Sequence, residues 1–503
     1  MNRFDAPPTT ARRSFPRALL ALLTLPSLGG CALTGGLFGT LGPDYKPPAA
    51  QIAPWQAPAQ MPAAQGLTAH GGSSAALKQW WQQFDDPVLT GLIESAQAAS
   101  ANLAQAAARI ERARADAIAA SALGNPSLDA TAGASRSAFS FGGPAVLRSQ
   151  AQVGLQSSWE IDLFGGAARR RESARAQLDA NVAAWHDARV ALAAEVANAY
   201  ANYRLCEFQV ELARADGASR AETARLTGIV AGAGLQAPAA AALAKASAAD
   251  GAANLLQKQA QCEIDIKGLV ALTAADEPAL RGLLARAPGA PPRLPRPPRF
   301  AVDALPAQVL AQRPDIAAAE RDVAVASADI GVAEADRYPR LSLAGNITPT
   351  RSRLDGSPTI SVTTWSIGPS LTLPLLDGGR RLANADAARA QYTATDAVYR
   401  GRVRNAVREV EEAMVRLAGV ADRLNDTRAA AAGYRESMEA ARTRQRAGLG
   451  NLIEFEDARR TSHAADANLV ALEYEGVAAW ISLYRAAGGG WDGSLDATAA
   501  RGK

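Results

Sequence analysis

The sequence predicts a mixed α/β membrane protein built from a duplicated unit of long helices and paired strands. Three observations carry this. The chain matches itself at an offset of 213–214 residues, each copy holds about 68 consecutive residues without proline, and each holds segments alternating apolar with polar. The 503 residues are 48% hydrophobic with a net charge of +4, too apolar for a disordered chain. Residues 1–30 hold Arg3, Arg12, Arg13 and Arg17 against Asp5, so three of the four net positive charges lie there. The remainder lacks the basic excess that a phosphate-binding surface needs, and no nucleic acid is expected. Three His and three Cys leave little for a metal site, and none is expected.

The duplication rests on five matches at one spacing. Asn125-Pro126-Ser127-Leu128 falls on Tyr338-Pro339-Arg340-Leu341, and Phe164-Gly165-Gly166 on Asp377-Gly378-Gly379. Arg175-Ala176-Gln177 falls on Arg389-Ala390-Gln391, Glu195-Val196 on Glu409-Val410, and Gly234-Leu235 on Gly448-Leu449. The copies cover 81–286 and 301–490, separated by a Pro-rich linker at 287–300 and followed by a tail at 491–503.

Each copy begins with a helix, about 87–123 or 314–337, ended by the Pro126 or Pro339 turn. Strands follow at about 127–137 and 151–163, then at 341–348 and 359–375. Val153, Leu155, Trp159, Ile161 and Leu163 alternate with polar neighbours, as do Trp365, Ile367, Leu371, Leu373 and Leu375. A period of two with one apolar face suits a membrane barrel strand. A half-buried strand of a soluble sandwich has the same pattern. Phe139–Leu147 and Pro349–Ser357 read as hairpin tips. The proline-free runs 165–232 and 379–446 are rich in good helix formers. At 1.5 Å per residue each reaches roughly 100 Å, which implies coiled-coil packing. Each ends at a glycine turn and reverses into a further helix, 238–273 or 451–487.

The N-terminus supplies the compartment. An arginine-bearing segment, the short apolar run Ala18–Leu25 and Leu28-Gly29-Gly30-Cys31 read as a secretory signal over 1–30, too short to span a bilayer. The small residues before Cys31 resemble a bacterial lipoprotein cleavage box, which makes Cys31 the lipidation site. An ordinary signal with an incidental cysteine is the alternative. Ala32, where Asp would favour inner-membrane retention, fits the outer membrane. Residues 31–80 read as a lipidated extended arm. No cofactor is expected beyond the covalent lipid on Cys31.

Taken together, these residues resemble the outer-membrane factors of bacterial tripartite efflux systems, in their TolC-like, NodT-type lipoprotein branch. The resemblance is carried by Gly42–Pro48, Trp80-Trp81, Asp86-Pro87, Trp159–Gly165, Arg313-Pro314-Asp315, Leu373–Arg380 and Asp457-Ala458-Arg459. It implies a homotrimer in which each chain adds four strands to a 12-stranded outer-membrane β-barrel, continuous with a periplasmic α-helical barrel. Four strands cannot close a barrel alone, so the strand count also requires association. The implied function is a passive exit duct in an RND-type system, exporting drugs or other small toxic compounds. The implied partners are a periplasmic adaptor, an inner-membrane pump and outer-membrane lipid.

The family's tunnel narrows near the glycine turns. Glu454 and Asp457 match its acidic gate positions and share one helix face, where threefold repetition gives rings of carboxylates. A solvated helix face is the alternative. The family's locking residues are missing, since the second copy has Gln445 and Gly450, although Arg444 and Arg446 could substitute. Gly234, Leu235, Gly448 and Leu449 are the expected adaptor-docking positions; packing within the turns is the alternative for the leucines. Cys206 and Cys262 lie 28 residues either side of Gly234, at one height on antiparallel helices, so a disulfide is expected, with two free thiols the alternative.

A periplasmic coiled-coil adaptor or scaffold lipoprotein is the competing reading, but it accounts for one hairpin rather than two hairpins with two strand pairs. Catalysis is not expected. Gly232–Ala237 fits GxGxxA but follows a helix instead of a strand, and His70, His186 and His463 have no visible nucleophile or metal partner.

Overall fold

The computed structural model describes residues 39–48, 56, 68–69, 80–84, 86–140, 142–287, 290–297, 300–301 and 306–495. The elements are α1 (Pro87–Ala99), α2 (Ala101–Ala122), β1 (Ser127–Phe139), β2 (Val146–Ile161), α3 (Gly166–Gly232), α4 (Pro238–Thr273) and α5 (Glu277–Leu284). After the linker come α6 (Pro306–Leu310), α7 (Pro314–Ala335), β3 (Arg340–Leu354), β4 (Ile360–Thr372), α8 (Arg380–Arg446) and α9 (Leu452–Ala486). The signal segment and Cys31 lie outside the described residues.

Two compact units emerge, and each draws on both sequence copies. The tandem repeats are therefore not the folding units, because the strands of one copy pair with those of the other. The first unit contains the sheet, whose order β1-β2-β3-β4 is antiparallel throughout. The adjoining helix ends and the arm up to Tyr45 belong to the same unit. Arg169 anchors the arm: its guanidinium donates to Leu41 O at 3.0 Å, to Gly42 O at 3.3 Å and to Asp44 Oδ1 at 2.7 Å. Gly42 and Gly331 make this approach possible, since a Cβ on Gly42 would lie 2.5 Å from Gly331 Cα.

The second unit contains the helical hairpins α3/α4 and α8/α9. Small residues let the helices approach closely; Ala183, Ala201, Ala406 and Ala431 are fully buried. An aromatic cluster closes the core where the first helix of each copy begins. Trp80 stacks on Tyr484 with ring centroids 4.6 Å apart, and Trp81 Nε1 donates to the Tyr484 hydroxyl at 3.1 Å. Burial pushes the Tyr484 hydroxyl up to about 12.

Four details differ from the sequence reading. The helix over 87–123 is broken at Ser100, whose extended backbone (φ −67, ψ 116) lets its Oγ accept from Leu103 N and cap α2. The strands are offset from their expected ends, so Leu163, Leu373 and Leu375 fall outside them. Pro349–Ser357 is not all loop, because β3 continues to Leu354 with Pro349 opposite Thr363. No β2 partner is assigned to Pro349, where proline has no N–H to give. The short helices α5 and α6 have no counterpart in the sequence reading.

Candidate functional site

The sheet has two chemically distinct faces. One cross-strand row reads Ala130, Leu155, Ile347 and Trp365; its neighbour on the opposite face reads Asp129, Gln156, Asn346 and Ser366. Both faces are bare. Leu128 is 70% exposed, Trp365 72% and Ile367 70%, and among the described residues nothing packs over them. A sandwich strand would bury these side chains, so the soluble alternative fails. An apolar face of this extent is matched to hydrocarbon, where every backbone group must also be paired. None of the described helices is long and apolar enough to cross a membrane.

At the hairpin ends the two copies fold alike. Leu235 N donates to Val230 O and Gly234 N to Ala231 O; Leu449 N donates to Arg444 O and Gly448 N to Gln445 O. These paired bonds close each helix with the glycine at positive φ, 76° and 73°. The leucine that follows such a turn ordinarily packs back on its helix. Here Leu235 is 81% exposed and Leu449 80% exposed.

The acidic positions Glu454 and Asp457 both lie exposed near the start of α9. Asn451 caps α9 by accepting from Glu454 N at 2.7 Å. The Glu454 carboxylate pairs with Arg444 across the α8/α9 turn, and Asp457 pairs with Arg460 one turn on. Between the two acids lies Glu456, which sequence reasoning missed. It is buried, accepts from Ser219 Oγ at 2.8 Å and pairs with Arg459. Arg459 also lies over the Phe455 ring, 5.1 Å from its centroid. The Glu456–Arg459 spacing was visible as an i,i+3 pair, but no local signal announces Ser219, which comes from the other copy. Further along the first hairpin, Cys206 and Cys262 are joined with Cα atoms 5.6 Å apart.

The family described as "Outer membrane efflux protein" matches residues 92–275 and 305–489, two segments that begin 213 residues apart. The chain belongs to the outer membrane efflux protein family. This efflux protein is 31% identical over 482 residues to the outer membrane protein OprJ of Pseudomonas aeruginosa, covering 94% of this chain and 95% of that one. It is 28% identical over 465 residues to nodulation protein T of Rhizobium leguminosarum bv. trifolii, covering 91% and 93%. Its fold is similar to the solved outer-membrane channel OprN, with a TM-score of 0.77 and 30% identity over 90% of this chain and 99% of that one. The efflux protein is accordingly an outer-membrane exit channel with a large periplasmic portion, and the bare apolar sheet face is its lipid-facing wall.

Proposed function

We propose that three copies of this chain close one barrel and one tunnel, forming the passive exit duct of a tripartite, RND-type efflux system. The observation that carries the reading is the open sheet. Among the described residues β1 and β4 each present one unpaired edge, and a sheet edge in hydrocarbon leaves backbone groups unsatisfied. Rotational closure pairs every β1 with a β4 of the next copy and turns the row of Asp129, Gln156, Asn346 and Ser366 toward a shared aqueous axis. Such a device conducts and does not catalyse.

In this reading Cys31 carries the lipid that anchors the chain. Leu235 and Leu449, exposed at equivalent turns, with Gly234 and Gly448 shaping those turns, dock the periplasmic adaptor that links the duct to an inner-membrane pump. Threefold repetition of Glu454 and Asp457 gives acidic rings at the periplasmic mouth, restrained by Arg444 and Arg460. Cargo is set by the pump. Relatives at 28–29% identity bear the names of solvent, cation and pyoverdine export proteins, so resemblance at this level does not fix the substrate.

The test is the assembly state of the detergent-extracted protein. Light scattering is expected to give three chains per particle, with migration on gels that changes on heating. A monomer that stays in solution without detergent overturns the proposal. Deleting the gene, with no redundant paralogue present, is expected to raise sensitivity to at least one toxic compound in a panel.

A further inference from the structure

The apolar face of the sheet ends in a basic row. Along β2 this face shows Ala151, Val153, Leu155, Trp159 and Ile161, interrupted by Ser157. Eleven residues from 151 to 161 match the length a tilted strand needs to cross hydrocarbon. The next position on that face is Ser149, and the register sets Arg136 on one side of it and Arg353 on the other. One step back on β3, Arg351 lies opposite Ala151, on the same face. The three arginines surround the small side chains Ala134, Ser149 and Ala151, and together they line a shallow depression of about 510 Å³.

Their charge is uncompensated. All three side chains are exposed, and among the described residues none is held by a carboxylate. The acid at this end, Asp355, sits in the β3–β4 turn, where its backbone N donates to Leu147 O at 2.9 Å. The neighbouring Arg148 is on the opposite face, donating to Ser352 Oγ at 3.2 Å. These hairpin tips are the strand ends remote from α2, α3, α7 and α8, which join the strands at their other ends. In an outer-membrane barrel with periplasmic helices, the tips therefore meet the outer leaflet.

We propose that Arg136, Arg351 and Arg353 form a binding site for the phosphorylated headgroup of an outer-leaflet glycolipid. The inference rests on the outer-membrane barrel reading and adds a ligand to its outer wall. Guanidinium presents a planar fork of donors that matches phosphate bidentately. Arg136 and Arg353 are two strands apart, about 10 Å between backbones, a span that long side chains close around one phosphate group. The small residues between them leave room for the sugar, while Val153 and Leu155 continue below as a surface for acyl chains.

The test compares the wild-type trimer with the R136A/R351A/R353A variant, both in detergent. Each is titrated with bisphosphorylated lipid A, phosphatidylcholine or inorganic phosphate, and binding is read by native mass spectrometry. The wild type is expected to bind bisphosphorylated lipid A, and the variant at least tenfold more weakly. Millimolar inorganic phosphate is expected to leave lipid binding intact. Equal lipid A binding by the variant overturns the site, as does equal retention of phosphatidylcholine. Displacement by inorganic phosphate also overturns it, in favour of a small-anion site. Heat-modifiable migration of both proteins keeps the readings separate. Loss of the trimer in the wild type sinks the barrel, whereas an intact trimer indifferent to the substitutions sinks only the lipid site.

Discussion

Val420 and Gly476 in the second hairpin stand where Cys206 and Cys262 stand in the first, 214 residues along the chain in each case. The pairs are also alike in space. The cysteines are bonded, and a Cβ on Gly476 would meet Val420 Cγ1 at 3.2 Å. One crossing point is thus a covalent staple in one copy and a close apolar approach in the other. The V420C/G476C variant is expected to form a second disulfide on export, because a Cβ at 476 falls in contact with the side chain at 420, at the position equivalent to the native bridge. Alkylation followed by mass spectrometry reads the outcome; two freely alkylated thiols at 420 and 476 would contradict it.

The native staple closes a loop of 56 residues. In the chain-entropy account such a loop contributes about 4 kcal/mol, with the benefit residing in the unfolded chain. C206S/C262S is therefore expected to lower the denaturant midpoint of the helical part clearly while leaving trimer assembly intact. An unchanged midpoint would contradict that contribution from the unfolded chain.

Lipid-facing and lumen-facing positions alternate, so adjacent substitutions should differ in kind. A lysine in place of Trp365, 72% exposed and in register with Ile347, puts a charge into hydrocarbon and is expected to cost about 2–4 kcal/mol. Ser366→Lys, on the polar face, is expected to leave stability nearly unchanged and to alter ion selectivity instead. Heat-modifiable migration measures the first effect and reversal potentials the second. Equal destabilisation by both would mean that the faces are assigned the wrong way round.

Burial raises the carboxyl of Asp187 above its ordinary value, and the nearby Asp315 charge adds to the effect. A carboxyl raised in the folded state binds its proton more tightly there than in the unfolded chain. Its contribution is fully present below the unfolded value and is lost as pH rises through the folded one. Asp187→Asn is expected to be more stable than wild type at neutral pH, with the gap narrowing toward acid. Denaturant midpoints at pH 4 and pH 7.5 check the sign; a gap that widens in acid would contradict it.

Much of this molecule was legible because its rules are local and long. Proline-free runs ended by glycine gave α3 and α8 to within a residue, and period-two alternation located β2 and β4, whereas β1 and β3 carried weaker signals. The break at Ser100 was not legible, since nothing in Ala-Ala-Ser-Ala compels one, and only the cap formed by its hydroxyl explains it. The course of β3 through Pro349 was missed because proline argues against a strand unless its missing N–H falls at an unpaired position. Long-range pairs were the least visible of all. Arg169 with Leu41, or Ser219 with Glu456, depend on segments brought together only by the finished fold.

If the hairpin ends form the periplasmic mouth of the proposed duct, magnitudes rank the contacts that would restrain it. Arg444–Glu454 and Arg460–Asp457 are both about half exposed, and exposed pairs contribute at most about 1 kcal/mol. The hydrogen bond from Ser219 to Glu456 is buried and joins the first hairpin to the second. A buried bond to a charged group is worth roughly 1.5–3 kcal/mol, and 2 kcal/mol is about thirtyfold in a population. Glu456→Ala is therefore expected to open the channel far more than Arg444→Ala, read as single-channel conductance in planar bilayers. Ser219→Ala should fall between them, because Arg459 still holds the carboxylate it leaves behind. If Arg444→Ala opened the channel most, the restraint would lie in the exposed ion pair that closes the α8/α9 turn, and not in the buried bond that joins the two hairpins through Glu456.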